Sequence, residues 1–278
     1  MSAAPPPRIA RDLEGKVAIV TGAGSRAEGI GNGRAAAILL AEAGVGVVLV
    51  DSERAWAERT AEMIAGEGGH SVVVEADVTR PEDCRRIVEE AVARFGGVDV
   101  LVNNVGIGGP KGTAVEVDLE AWNHGLLVNV TSMMLMAKFA VPEMVRRGGG
   151  AIVNIASVAG LRGGTPNLLY PTSKGAVVNM TRAMAVHHAR EGIRVNCVCP
   201  GMLHTPMMYA GGMTEEMREA RRNRSLLRTE GSGWDCGAAV LYLASGHARW
   251  VTGTILPVDA GATATSSLDL PDRRQPPP

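Results

Sequence analysis

Short runs of apolar, often β-branched residues recur along the chain, at KVAIVT (16–21), VGVVLVD (45–51), SVVVEADV (71–78), DVLVNNVG (99–106), AIVNIAS (151–157), IRVNCVCP (193–200) and TGTILPVDA (252–260). Most are apolar at successive rather than alternate positions, the pattern of strands buried on both faces. Helical patterns fill the intervals. Residues 33–43 are rich in Ala and Leu, and 54–66 carry charges on one face. Residues 81–95 open with Pro81 and the acids Glu82 and Asp83, which suit a first helical turn. Longer helices are predicted at 119–147 and 172–191, and another at 235–246. This alternation predicts an α/β fold: one doubly wound parallel sheet of about seven strands with helices on both faces. No spacer rich in Gly, Pro and Ser divides the middle, so one domain is expected over about 15–262. A flexible segment at 1–14, with Pro5, Pro6 and Pro7, and a Pro-rich tail at 263–278 are expected to flank it.

Composition narrows the classes of function. The chain has 278 residues, 28 basic and 29 acidic, for a formal net charge of −1. No overall basic field favours nucleic acid or anionic lipid, and aromatics at 3% supply few bases with a stacking platform. The four cysteines, Cys84, Cys197, Cys199 and Cys236, form no CxxC pair and have no His pair at ligand spacing. They read as reduced, largely buried thiols, and no metal site is expected. The N-terminus lacks the apolar core of a signal peptide, and no stretch is read as a membrane span. A cytoplasmic protein with no membrane or nucleic-acid partner is the expectation.

The first strand runs into Thr21-Gly22-Ala23-Gly24-Ser25-Arg26-Ala27-Glu28-Gly29-Ile30-Gly31, and a helix pattern follows. Glycines there let backbone approach a pyrophosphate, and the helix N-terminus presents oriented amides. The second strand ends in Asp51, 20 residues beyond Gly31, where a carboxylate binds a ribose 2′-hydroxyl. Strand, glycines, helix, strand and acid in this order point to a dinucleotide. A carboxylate repels a 2′-phosphate, so NAD is expected over NADP, although Arg26 and Arg54 stand near enough in sequence to soften that repulsion.

From about Gly15 to Gly261 the motifs resemble the short-chain dehydrogenase/reductase family. Besides the glycine turn, Asp77-Val78 resembles its adenine contact, and Asn103-Asn104-Val105-Gly106 resembles its NNAG signature with Val in place of Ala. Asn129 in LLVNV, Ser157 in IVNIAS, and Tyr170 with Lys174 in YPTSK match its catalytic group. Pro200-Gly201 with Thr205 resembles its PGxxxT segment, which holds the nicotinamide carboxamide. Tyr170 follows Ser157 by 13 residues, the family's usual separation. The resemblance implies a Rossmann-like fold, with Gly22, Gly24, Ser25, Gly29, Ile30, Asp51, Asp77, Val78, Asn104, Gly106, Tyr170, Lys174, Pro200, Gly201 and Thr205 toward the cofactor. One departure stands out. The family's usual turn is TGxxxGxG, but six residues separate Gly22 from Gly29, three more than usual, so the loop must bulge or Gly24 must share the phosphate contact. The enoyl-reductase branch also has a longer turn, but the Tyr–Lys spacing and Ser157 favour carbonyl and alcohol chemistry.

Oxidising an alcohol removes a hydride from carbon and a proton from oxygen; the cofactor takes the first and the protein must handle the second. Tyr170 and Lys174 are four apart, so they share one helix face, and an ammonium there is expected to lower the phenol's pKa. Ser157 would donate to the substrate oxygen. By resemblance Asn129 would position water leading from Lys174, residues 202–229 would cover the substrate, and the chain would assemble as a homotetramer. Met202, Met207, Met208, Met213 and Met217 either line an adaptable apolar pocket or pack into the core. His204, in the PGxxxT segment, could touch substrate. The expected activity is an NAD-dependent oxidoreductase on a moderately bulky, largely apolar secondary alcohol or ketone, with small, glycine-rich walls expected at 107–113 and 158–167. Two other classes compete. A sugar-nucleotide epimerase or dehydratase would need a larger C-terminal lobe than the 77 residues after Gly201. A non-catalytic dinucleotide sensor would not need Asn129, Ser157, Tyr170 and Lys174 together.

Overall fold

The computed structural model describes residues 12–265. The chain alternates β1 (Val17–Thr21), α1 (Asn32–Glu42), β2 (Gly46–Asp51), α2 (Arg54–Gly66), β3 (Ser71–Glu75), α3 (Pro81–Phe95) and β4 (Val100–Asn103). There follow α4 (Leu119–Leu126), α5 (Ser132–Arg146), β5 (Gly150–Ile155), α6 (Leu169–His188), β6 (Ile193–Pro200), α7 (Pro206–Tyr209), α8 (Glu215–Arg222), α9 (Gly233–Ala244) and β7 (Ile255–Val258). All seven strands pair in parallel in the order β3-β2-β1-β4-β5-β6-β7. The order reverses between β1 and β4, and in open α/β sheets the crevice at the carboxyl ends of those strands is where ligands bind.

The continuous apolar runs have their explanation in two cores. Ala18 and Val20 of β1 face α1, α2 and α9, which contribute Leu40, Ile64 and Val240. Val17 and Ile19 of the same strand face α3, α5 and α6, which contribute Ile87, Met136 and Met184. A strand covered on both sides has no polar face to show. The expected strand and helix positions hold to within a few residues, with two informative differences. The third strand stops at Glu75, so Asp77 and Val78 stand in the turn beyond it. The long helix at 119–147 is continuous but widens through a π-type turn at Leu127–Thr131.

That continuous helix, Leu119–Arg146, is 28 residues long and, by length and composition alone, apolar enough to cross a membrane. This corrects the expectation that no stretch approaches a span. Its apolarity has a packing cause: Met133, Met136, Ala140 and Met144 are buried on the sheet. At the chain's start Leu13 is buried in the first core and the Asp12 carboxylate accepts from the Gly246 amide. The packed chain therefore begins before Gly15. Residues 1–11 and 266–278, most of the two flanking segments, lie outside the described residues. The four cysteines are free and buried.

Candidate active site

The glycine turn leaves β1 at Gly22, whose φ of +61° is a left-handed conformation that suits glycine. Asn104, at the end of β4, braces this point: its Nδ2 donates to the carbonyls of Thr21 (3.1 Å) and Gly22 (2.9 Å). Thr21 Oγ1 returns the contact by accepting from the Asn104 amide at 3.0 Å. The two strands flanking the crevice are thus tied at their tips. The Gly24 amide donates to Asp51 Oδ2 (2.9 Å), and Asp51 Oδ1 accepts from the Glu53 amide (3.2 Å). Burial holds the Asp51 carboxyl above its ordinary value, and these backbone donors offset part of that rise. A Cβ at Gly24 would stand 2.5 Å from Trp56 Cβ. The lengthened turn therefore resolves as a bulge over residues 25–28, with the Gly24 amide committed to Asp51. Ser25 is buried and its hydroxyl donates to the Ala27 carbonyl (2.9 Å). Ile30 follows, half-buried, with its carbonyl against Gly233 at the start of α9. Arg26 is exposed on the bulge, and Arg54 pairs with Glu58 at 2.7 Å.

Sequence reading missed the side chains that hold this turn from beneath. Arg34, buried in α1, donates to the Gly29 carbonyl (2.6 Å), to Thr60 Oγ1 (3.0 Å) and to the Trp56 carbonyl (3.3 Å). Thr60 Oγ1 in turn donates to the Ala23 carbonyl at 2.8 Å. The signal was available: Arg34 is a lone cation in a run of Ala, Ile and Leu.

Across the crevice, Ser157 follows β5 and Tyr170 and Lys174 lie in the first turns of α6. Ser157 and the Tyr170 phenol are hydrogen-bonding neighbours, which pulls the phenol's pKa down; burial has the larger effect and leaves it above its ordinary value. This differs from the expectation of a phenol lowered by its lysine. The Lys174 Nζ lies 5.9 Å from the ring centroid, and instead donates to the Ile155 carbonyl at 3.0 Å. Lys174 is fully buried, and desolvation pulls it down to about 8. The π-type turn places Asn129, wholly buried, beside this group. Its Oδ1 accepts from the Ile107 amide (2.7 Å), and its Nδ2 donates to the Ile107 carbonyl (2.9 Å) and to Ser173 Oγ (3.0 Å). Ser173, also missed, passes the bond on to the Tyr170 carbonyl at 2.9 Å. Asn129 thus clamps the segment 106–107 beyond β4 onto the helix that carries Tyr170 and Lys174.

The remaining expected residues fall around the same crevice or just beyond it. Pro200 closes β6, and Gly201, whose amide donates to the Val258 carbonyl (2.9 Å), packs on Asp259. Thr205 is buried immediately before α7. Val78 is buried, whereas the Asp77 carboxylate accepts from the Thr79 amide (2.9 Å) and hydroxyl (2.7 Å). Of the methionines at 202–217, Met207, Met208 and Met217 are exposed rather than packed into the core.

The residues fit a nicotinamide dinucleotide. An ammonium has three donors, and Lys174 Nζ spends one on Ile155; it lies 3.0 Å from where a Cβ on Gly106 would stand, so only glycine leaves that approach open. Two buried polar atoms near the crevice, Asn32 Oδ1 in the first turn of α1 and His204 Nδ1, have no protein partner. Gly22 and Gly29 give the backbone conformations of a phosphate-binding turn at the mouth of α1. Asp51 stands at the tip of β2, the position from which a carboxylate binds the ribose in dinucleotide-binding folds.

Comparison with known proteins follows the same lines. A family model described as enoyl-(acyl carrier protein) reductase matches residues 24–263. A cis-4-hydroxycyclohexanecarboxylate dehydrogenase of Sinomonas cyclohexanicum is 37% identical over 249 residues, 90% of this chain and 97% of its own. Among solved structures, a Burkholderia xenovorans protein assigned to the short-chain dehydrogenases/reductases superposes with a TM-score of 0.87 at 42% identity, over 92% of this chain and 99% of its own. A 7α-hydroxysteroid dehydrogenase complexed with NADH and 7-oxo glycochenodeoxycholic acid gives 0.82 at 32% identity, over 91% and 96%.

Proposed function

This chain belongs to the short-chain dehydrogenase/reductase family, and we propose that it is an NAD-dependent alcohol dehydrogenase or ketoreductase acting on a secondary alcohol or ketone. The observation that carries the reading is the convergence of Ser157, Tyr170 and Lys174 on the crevice where β1 and β4 part, with Asn129 locking the wall beside them. The bound nicotinamide supplies the hydride acceptor or donor. The chain's own residues handle the oxygen. Tyr170 Oη takes the proton of the alcohol in oxidation and returns it to the forming alkoxide in reduction. Ser157 holds the substrate oxygen beside the phenol. The Lys174 ammonium, with donors to spare, binds a ribose hydroxyl and makes the phenolate less costly than burial alone would leave it. Asn129 acts as a positioning residue, since its amide is spent on Ile107 and Ser173.

Asp51 supports NAD: its carboxylate, held by the Gly24 and Glu53 amides, retains lone pairs for ribose hydroxyls and opposes a 2′-phosphate. Met207, Met208 and Leu161, all exposed among the segments expected to wall the substrate, support a largely apolar one. The alcohol dehydrogenases among its relatives support a ring alcohol as the first to try. We place the whole activity in one domain at about 15–262, covered at about 202–229. We also take the working form to be a cytoplasmic homotetramer, for which the exposed Leu127, Met134, Val145 and Val186 on the long helices offer apolar pairing surface.

The test is to mix the purified protein with NAD or NADP and a panel of secondary alcohols and to follow nucleotide absorbance. Turnover with NAD that falls by about 100-fold or more in Tyr170→Phe, with NADH binding retained, is the expected result. Undiminished turnover in that variant would overturn the role of Tyr170. A preference for NADP would overturn the reading of Asp51. Saturable NADH binding with no turnover on any alcohol or ketone would favour a dinucleotide sensor.

A further inference from the structure

We propose that Tyr209 is a latch: its hydroxyl, donating to the Glu28 carbonyl, fastens the cover segment after β6 to the lengthened glycine turn after β1 and so governs release of the dinucleotide. What is released rests on the function proposed above; the latch itself does not. The bond is 2.7 Å long and joins residues 181 apart in sequence. Tyr209 ends α7, four residues past Thr205 at the expected nicotinamide segment, while Glu28 ends the bulge of the expected pyrophosphate turn. A strap fastened at these two points crosses from one side of the crevice to the other.

The surroundings are shaped for the contact. Gly29 has a φ of +112°, and any Cβ there would collide with the Tyr209 hydroxyl. Pro206 Cγ lies 3.5 Å from the same point. The Tyr209 ring packs on His204, with centroids 4.7 Å apart and planes inclined by 33°. His204 is itself anchored through its amide, which donates to the Gly231 carbonyl at 2.7 Å. On the turn side Arg34 holds the Gly29 carbonyl at 2.6 Å.

The two sides differ in how firmly they are built. The turn sits on the buried Arg34 and Thr60. The cover beyond α7 includes α8, which buries no residue, and is held by a few contacts: Arg218 with Glu230 (2.5 Å), Arg221 with the Leu203 carbonyl (3.1 Å), the Leu227 amide on the Ala260 carbonyl (3.2 Å) and Leu226 against Gly261. One further hydrogen bond to a rigid partner weighs heavily on such a segment. The acceptor comes from the extra length of the turn. Without Arg26, Ala27 and Glu28 the sequence would read TGAGSGIG, the spacing usual in the family, and the Glu28 carbonyl would be gone.

A neutral hydrogen bond changes an equilibrium by about 3- to 10-fold, and that sets the expected size. In the protein without cofactor, Tyr209→Phe should speed trypsin cleavage at the arginines between 218 and 228 by about that factor, because cleavage follows the population of the open cover. Deleting Arg26–Glu28 should do the same by removing the acceptor instead of the donor. In Tyr209→Phe, NADH release followed by stopped-flow fluorescence should quicken by a similar factor, while the thermal midpoint stays at its wild-type value. A merely structural role would instead lower the midpoint and leave release unchanged, and that pattern overturns the proposal. Wild-type cleavage rates in both variants overturn the latch itself. If the wild-type chain binds neither NADH nor NADPH, the dinucleotide reading and the control of release both fall, and the protease experiment still decides whether the cover is latched.

Discussion

Lys174 carries a strongly shifted ionisation in the crevice. It is wholly buried among apolar side chains and thiols, and desolvation brings it to about 8. The sign of the consequence follows from which state pays for the charge. Below about pH 8 the folded and unfolded chains both hold the proton, and the penalty on folding is full. Between about pH 8 and about pH 10.5 the folded chain has released the proton while the unfolded chain keeps it. The penalty is relieved across that window, so this site's contribution to stability rises with pH, by roughly 3 kcal/mol. Urea unfolding of wild type and Lys174→Met at about pH 7 and about pH 10 measures it. Wild type should gain stability on the variant as pH rises; a pH-independent difference would mean the ammonium is not desolvated. Tyr170 carries the opposite problem. Burial raises it, Ser157 lowers it, and the remaining shift toward phenolate has to come from the charge of Lys174 and of the bound nicotinamide. Removing Ser157 by substitution with Ala is therefore expected to move the acid limb of kcat/KM for alcohol oxidation, where Tyr170 must be deprotonated, to higher pH as well as to reduce its height by about 100-fold or more; an unmoved limb would separate Ser157 from the phenol's ionisation.

At the scale of elements, the close approach of α1 to the tip of β1 decides whether the phosphate turn forms. Gly33, in the first turn of α1, has no room for a side chain: a Cβ would collide with the Gly22 carbonyl and stand 2.5 Å from Asn104 Nδ2. Gly33→Ala must push the helix off the turn, at about 1–3 kcal/mol in stability together with loss of nucleotide affinity. Gly66, at the end of α2, has open space around it, and Gly66→Ala should raise stability by about 0.4–1 kcal/mol through the unfolded chain. Denaturant melts and NADH titrations of the two variants check both statements. Equal effects would mean that the turn tolerates a displaced helix. The buried amides of Asn103 and Asn154, linked at 2.9 Å, and the 3.0 Å bond from Asn154 to Thr181 tie β4, β5 and α6 together beneath the proposed catalytic group.

For the whole molecule, the strand order places the candidate site. Because β4 returns beside β1 rather than beyond β3, the loops after β1 and β4 diverge, and the ends of β5 and β6 bring Ser157 and Pro200–Thr205 to the same side. The same architecture leaves the outer faces of α5 and α6 uncovered, with Val145 and Val186 exposed. If the chain works as a tetramer through these helices, light scattering should give a four-chain mass, and Val145→Asp with Val186→Arg should reduce it. A monomer at micromolar concentration would overturn that assembly.

The local pattern was enough to determine the alternation of strands and helices, because burial on both faces forces continuous apolar runs and covering helices repeat at their own period. It also pointed to the glycine turn and Asp51 as candidates, and the family resemblance pointed to Tyr170 and Lys174, because spacing along the chain is visible without the fold. It did not determine how those units brace one another. Asn104 holding the Gly22 carbonyl, Arg34 holding Gly29, Asn129 clamping Ile107, and Tyr209 reaching Glu28 are meetings of residues whose neighbours in sequence carry no trace of the partner. The ionisation of Tyr170 and Lys174 was equally out of reach, because desolvation is set by everything folded around a group rather than by the residue four positions away. Pattern sets which elements form; the tertiary structure decides which polar atoms they leave to meet, and so what the crevice can hold.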